Sequence, residues 1–110
     1  GIVFVSGRSD VCREQTELWL QQYVCTYDAL YMRPKDDHRK DTILKREILE
    51  KMYADGWSPW LAIDDRSDIA RMWREQGILT MLTSDWVERE EKYQGYHFTG
   101  EECSQACSGR

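Results

Sequence analysis

Residues 60–82 read WLAIDDRSDIARMWREQGILTML, and their pattern decides the fold. The apolar run at 60–63 stops at Asp64 and Asp65, as a buried strand does where it emerges from a sheet. Ile69, Met72 and Trp73 then recur at i, i+3 and i+4, which predicts a helix over 67–75 with one buried face. Gly77 stands where a helix ends in a left-handed residue, and 78–82 is a second apolar run. A strand, a helix and a strand in that order form a crossover, so the two strands are expected to run parallel.

Working outward, the same alternation continues. Leu44, Ile48 and Met52 are spaced by four and predict a helix over 41–53, broken by residues 56–59. A brief strand at 29–32 is stopped by Pro34, and 35–40 is a charged loop. Residues 1–5 form a β-branched strand closed by Ser6-Gly7, and Ser9 or Asp10 can cap a helix whose apolar stripe is Val11, Leu18, Trp19 and Tyr23. The expectation is an α/β fold, a three-layer, Rossmann-like parallel sheet with helices on both faces. Residues 1–86 carry that core, and 87–110 form an acidic tail with scattered aromatics.

Composition sets the outer bounds. A chain of 110 residues holds one small domain, and its 41% apolar and 32% charged content is ordinary for a globular protein. Its longest apolar runs, 2–5 and 60–63, are far too short to span a membrane, and no secretory signal pattern opens the sequence. A cytoplasmic location with reduced thiols is therefore expected. Cys12, Cys25, Cys103 and Cys107 form no CxxC pair, and His38 and His97 are not at zinc spacing to them. A net charge of −5 argues against a surface that coats nucleic acid. The charge is uneven, however: 33–46 holds six bases and three acids, and 84–102 six acids and two bases. The basic stretch reads either as a solvated connection or as a local contact for a polyanion. The sequence also opens inside a strand, at Gly1 rather than a methionine, and so reads as a piece of something longer.

In parallel α/β sheets ligands bind beyond the carboxyl ends of the strands. Ser6, Gly7 and Arg8 follow the first strand, where a hydroxyl, an accessible backbone N–H and a guanidinium could hold a phosphate. Taken alone, they read more simply as a turn with a helix cap beside an exposed arginine. Asp64 and Asp65 suit Mg²⁺, which takes one or two carboxylates and keeps its waters. Alternatively, one of the two caps the following helix. Asp41 and Lys45, four apart, fall on or beside the buried stripe of their helix, where a surface ion pair would not sit. They would present a fixed positive charge to a phosphoryl oxygen. Together the three places suit Mg²⁺-dependent phosphoryl chemistry. No GxxxxGK[ST] loop is present, and no Cys, Ser or His arrangement suggests acyl transfer.

The runs Val3-Phe4-Val5-Ser6-Gly7-Arg8, Arg39-Lys40-Asp41-Thr42-Ile43-Leu44-Lys45 and Leu61-Ala62-Ile63-Asp64-Asp65-Arg66, with Met72-Trp73-Arg74, resemble the polynucleotide kinase 3′-phosphatase domain of the haloacid dehalogenase superfamily, in its phage-type form. The likeness covers about residues 1 to 85. It implies that Ser6, Gly7 and Arg8 bind phosphate, that Lys45 is the catalytic lysine with Asp41 orienting it, and that Asp64 and Asp65 hold Mg²⁺. It further implies removal of 3′-phosphates from DNA or RNA ends in repair, through an aspartyl-phosphate intermediate, with a kinase domain in a longer chain.

One motif of that family does not occur. Its nucleophile lies in a DxDxT-type strand, and no aspartate here follows an apolar strand in that form. In the superfamily this strand is the first and central one, so the expected fold lacks it. A longer natural chain, another chain, or a swapped or homo-oligomeric copy would have to supply it. The alternatives to a 3′-phosphatase are a catalytically inactive phosphate-binding or assembly module, and a small-molecule phosphatase of the same superfamily.

Overall fold

The computed structural model describes residues 1–83; the anticipated tail at 87–110, with Cys103, Cys107 and His97, lies outside the described residues. The described chain alternates strand and helix: β1 (Val3–Ser9), a 3₁₀ turn (Asp10–Cys12), α1 (Arg13–Tyr23), β2 (Ala29–Arg33), α2 (Asp41–Ala54), β3 (Leu61–Asp64), α3 (Ser67–Glu75) and β4 (Leu79–Leu82). The α/β class read from the sequence is the observed one. The strands pair as two separate two-stranded parallel sheets, β1 with β2 and β3 with β4. Residues 1–39 form one compact unit, and the second begins at Lys40. Among the described residues no helix is long and apolar enough to cross a membrane.

In the first unit Val3 to Ser6 pair in register with Ala29 to Met32, and the register then shifts before Ser9 meets Arg33. The expected turn at Ser6-Gly7 is thus an irregularity inside a longer strand. The shift between Ser6 and Ser9 leaves Gly7 and Arg8 out of register, a local kink of the kind an inserted residue produces. Arg33 holds the kink in place. Its side chain is buried, with Nε donating to the Gly7 carbonyl at 2.8 Å and Nη1 to the carbonyls of Asp37 and Arg39 at 3.2 and 2.5 Å. The base at the start of the 33–46 stretch is therefore a scaffold for the chain's own carbonyls, neither a solvated charge nor a polyanion contact.

The turn that follows has a specific chemistry. Asp37 N donates to the Pro34 carbonyl at 3.1 Å, and Asp36 adopts φ 65°, which aspartate tolerates better than most side chains. Arg39 Nη2 closes on Asp37 at 2.7 Å, and Arg39 Nε at 3.0 Å. These hydrogen bonds from the Arg39 side chain hold the Asp37 carboxyl at about 2, below its usual 3.8. A carboxylate with a lowered folded pKa stabilises above its unfolded value and loses that contribution as pH falls through the folded one. The loop should therefore lose this contribution between about pH 4 and about pH 2. A carboxyl NMR titration should place Asp37 near 2, and Arg39→Ala should return it towards 3.8.

α1 turns a different face to its sheet than the apolar spacing predicts. The buried positions are Cys12, Thr16 and Leu20, spaced by four, and Leu20 joins Leu30 and Met32 in the core with Phe4 and Tyr27 packed against them. Val11, Leu18, Trp19 and Tyr23 are exposed, the last two in ring contact with each other. Two of the three inward residues are a cysteine and a threonine, so a stripe drawn through large apolar side chains misses them. Thr16 Oγ1 is buried without a hydrogen-bond partner. A buried unpaired hydroxyl costs about 1–3 kcal/mol, so the isosteric Thr16→Val should raise stability by about 1 kcal/mol in denaturant unfolding. Cys12 is buried and Cys25 carries a free thiol.

The second unit follows its sequence pattern closely. β3 and β4 pair from Leu61↔Leu79 to Asp64↔Leu82, with α3 as the crossover. Leu44, Ile48 and Met52 are buried along α2 as their spacing predicts, and Leu49 joins Ile69, Met72, Trp73 and Ile78 in one cluster with Ala62 packed against it. Gly77, at φ 83°, ends α3 and donates its N–H to the Arg74 carbonyl at 2.9 Å. Arg74 Nη2 in turn reaches the Thr80 carbonyl at 3.1 Å, tying helix to strand. On one face of β3–β4, Ile63, Leu79 and Met81 are more than half exposed.

Candidate functional site at the carboxyl end of β3

The acids at 64 and 65 sit where a buried strand gives way to a helix, and the local fold fixes the first of them. Asp64 Oδ1 accepts the Arg66 backbone N–H at 3.2 Å, an Asx turn that carries the chain from β3 into α3. Its Oδ2 accepts the Trp73 indole N–H at 3.3 Å from the second turn of that helix. Lys45 Nζ stands 3.7 Å from the same oxygen, and both side chains are little exposed, at 12% for Lys45 and 11% for Asp64. Asp65, the next residue, is exposed.

This arrangement follows from the phase of α2. Lys45 lies one residue beyond buried Leu44 and three before buried Ile48, so its stem runs along the covered side of the helix. The inward placement read from the spacing holds. Lys45 faces Asp64, a pairing the sequence does not disclose because the two are nineteen positions apart. Asp41, at the start of α2, accepts from Arg66 Nη1 at 2.9 Å. Arg66 also donates through Nη2 to Asp68 at 2.8 Å, and so bridges the first turns of α2 and α3.

The remaining sequence candidates belong to the first unit. Ser6 Oγ accepts the Arg8 backbone N–H at 3.1 Å across the kink in β1, and Gly7 offers its carbonyl to Arg33. Both Ser6 and Arg8 are half-buried. Arg66, Trp73 and Arg33 are the polar partners that the sequence reading did not single out for such roles. Arg66 and Trp73 carried a signal only as members of the 61–66 and Met72-Trp73-Arg74 runs, and Arg33 only as the first base of the 33–46 stretch.

Chemically, a carboxylate fixed on both oxygens beside a half-enclosed ammonium can orient charge at a strand end. The described residues contain no group of three or more His, Cys, Asp or Glu that could cage a metal. Mg²⁺ does not require one, since it takes one or two carboxylates and completes its shell with water and phosphate oxygens. The immobilised Asp64 and the exposed Asp65 are donors of that chemistry.

Parallel strands joined by crossover helices define an α/β chain, and Lys45 and Asp64 meet at the carboxyl end of β3. A family model described as the polynucleotide kinase PNKP phosphatase domain matches residues 1–85, and the chain belongs to that family. A curated relative named "Putative bifunctional polynucleotide kinase/RNA ligase", from Autographa californica nuclear polyhedrosis virus, is 37% identical over 91 residues. The match covers 79% of this chain and 13% of the relative. A chain in a solved structure of the Pnkp1/Rnl/Hen1 complex is similar at a TM-score of 0.67 and 34% identity, over 73% of this chain and 28% of that one. The chain thus spans less than a third of the length of either relative.

Proposed function

We propose that this domain removes 3′-phosphates from DNA or RNA ends in repair, with Mg²⁺ as cofactor. The observation that carries the reading is the Lys45–Asp64 pair at the end of β3, with Asp64 locked by Arg66 and Trp73. In this reading Asp64 and Asp65 hold the ion, which when bound neutralises phosphate charge as a Lewis acid. Lys45 places its ammonium against a phosphoryl oxygen, so that charge developing there meets a fixed donor. Asp41 is assigned the orientation of α2's first turn, through Arg66. Ser6, Gly7 and Arg8 are assigned phosphate binding by hydroxyl, backbone N–H and guanidinium.

The covalent step needs a carboxylate nucleophile, and no DxDxT strand occurs in these 110 residues. We assign it to a strand outside them or in another chain, the central strand of a three-layer sheet. Among the described residues β3 pairs with β4 alone, which leaves a backbone ladder along its other edge for such a strand. The two relatives, by name a kinase/ligase and a member of a multi-protein complex, support a domain that works beside a kinase or other partners.

The test compares substrates. The polypeptide that carries this domain should release phosphate from a 3′-phosphorylated oligonucleotide, with Mg²⁺, in preference to sugar phosphates or p-nitrophenyl phosphate. Equal or better turnover of the small esters would instead make it a general phosphatase, and no turnover of any of them would leave a binding module.

A further inference from the structure

Trp73 is the residue whose position exceeds what packing requires. It is buried in the cluster of Leu49, Ile69, Met72 and Ile78, which would be served by any large apolar ring. Yet its indole N–H points out of that cluster and donates to Asp64 Oδ2 at 3.3 Å, nine positions back in the chain. Phenylalanine would fill the core and offer no donor, whereas a buried tryptophan N–H ordinarily needs a partner. The helix beneath it is firmly seated, with Ile69 and Ala70 fully buried, and Arg74 anchors the next position to the Thr80 carbonyl. The donor is thus held by the core, and the core in turn fixes the carboxylate.

We propose that Trp73 is a positioning residue for Asp64, its indole N–H fixing the plane of that carboxylate, which would hold the ion through its remaining acceptor sites. The inference rests on the reading of Asp64 as a metal-holding acid. A carboxylate has about four acceptor sites. The Arg66 N–H takes one on Oδ1 and the indole takes one on Oδ2, and Lys45 approaches the latter oxygen. With both oxygens anchored, the carboxylate cannot rotate about its Cβ–Cγ bond without breaking a hydrogen bond. A ligand fixed in this way binds a cation without first losing rotational freedom, the usual gain from a supporting hydrogen bond behind a metal ligand.

The experiment uses two replacements in the polypeptide that carries the domain. Trp73→Phe removes the donor and part of the ring. Substitution of the benzothienyl isostere of tryptophan removes only the donor, with a sulfur in place of the N–H and the ring shape kept. Both should raise the Mg²⁺ concentration for half-maximal phosphate release by about tenfold, the scale for a second-layer partner of a metal ligand. Conservation of shape predicts unfolding of the isostere variant close to that of the native protein. In the native protein, the indole N–H resonance of Trp73 should move on titration with Mg²⁺ alone, and should move differently when Asp64→Asn is introduced.

An unchanged Mg²⁺ requirement in the isostere variant, with an indole resonance insensitive to Mg²⁺, would overturn the proposal and leave Trp73 as core. That result would leave the phosphatase reading standing if phosphate is still released. An indole that responds to Mg²⁺ in a protein that releases no phosphate would support the positioning role and overturn the phosphatase reading instead.

Discussion

Lys45→Ala is expected to lower the rate of phosphate release by about 100- to 1,000-fold, the cost of removing one preorganised donor from a developing anion. Lys45 is a half-enclosed cation, 12% exposed, set by α2 at the end of β3. Its stem lies along buried Leu44 and Ile48, so the charge arrives at one place with little conformational freedom left to lose. The stability effect should be far smaller than the catalytic one. Asp64 keeps its bonds from Arg66 and Trp73, so its charge is not left without partners and the loss should stay within about 1–3 kcal/mol. Lys45→Arg should fold as the native protein does and recover only part of the rate, because a planar fork on a longer stem cannot place a point charge at the same atom. Single-turnover phosphate release and denaturant unfolding of the same three proteins separate the two effects.

Asp64→Asn is the second large effect. The amide keeps the shape of the side chain but offers one acceptor oxygen in place of two. The Arg66 N–H and the Trp73 N–H approach opposite oxygens, so one of these donors must face an NH₂ group. The negative charge that would hold Mg²⁺ and that faces Lys45 is lost at the same time. Phosphate release should fall by at least about 100-fold, since a Lewis-acid contact supplies several kcal/mol and each 1.36 kcal/mol is a factor of ten. Excess Mg²⁺ should restore part of the rate if Asp65 remains as a donor. Unfolding should shift towards lower denaturant by about 1–3 kcal/mol, from the mispaired donor.

The second unit was legible from its residues because its local signals agree. The apolar run before Asp64, the i, i+3, i+4 spacing of Ile69, Met72 and Trp73, and Gly77 all specify the same strand–helix–strand path. The first unit was less legible where small residues do the packing. Cys12 and Thr16 carry α1 onto its sheet, and neither registers in a count of large apolar side chains. Ser6-Gly7 has the composition of a turn, but the backbone continues as strand through an irregularity whose stabilising partner, Arg33, is 26 positions away. Pairings of that range leave no trace in local spacing.

The same distinction holds at the site. That Lys45 faces inward was visible from helical phase, because phase is a local property. That it faces Asp64, and that Arg66 joins Asp41 to Asp68, depends on how α2 packs beside α3, which no spacing reports. In the sequence Arg66 stands out only as the last residue of the 61–66 run. Its two carboxylate partners make it a tie between the helix that carries Lys45 and the turn that carries Asp64.

The β3 site is expected to perform Mg²⁺-dependent removal of a 3′-phosphate. The most direct measurement is inorganic phosphate released from a 3′-phosphorylated oligonucleotide by the polypeptide that carries this domain, followed with Mg²⁺ and with chelator, beside the Lys45→Ala variant. Release should require Mg²⁺ and fall by about two to three orders of magnitude in the variant. Release that is indifferent to both Mg²⁺ and Lys45 would contradict this expectation.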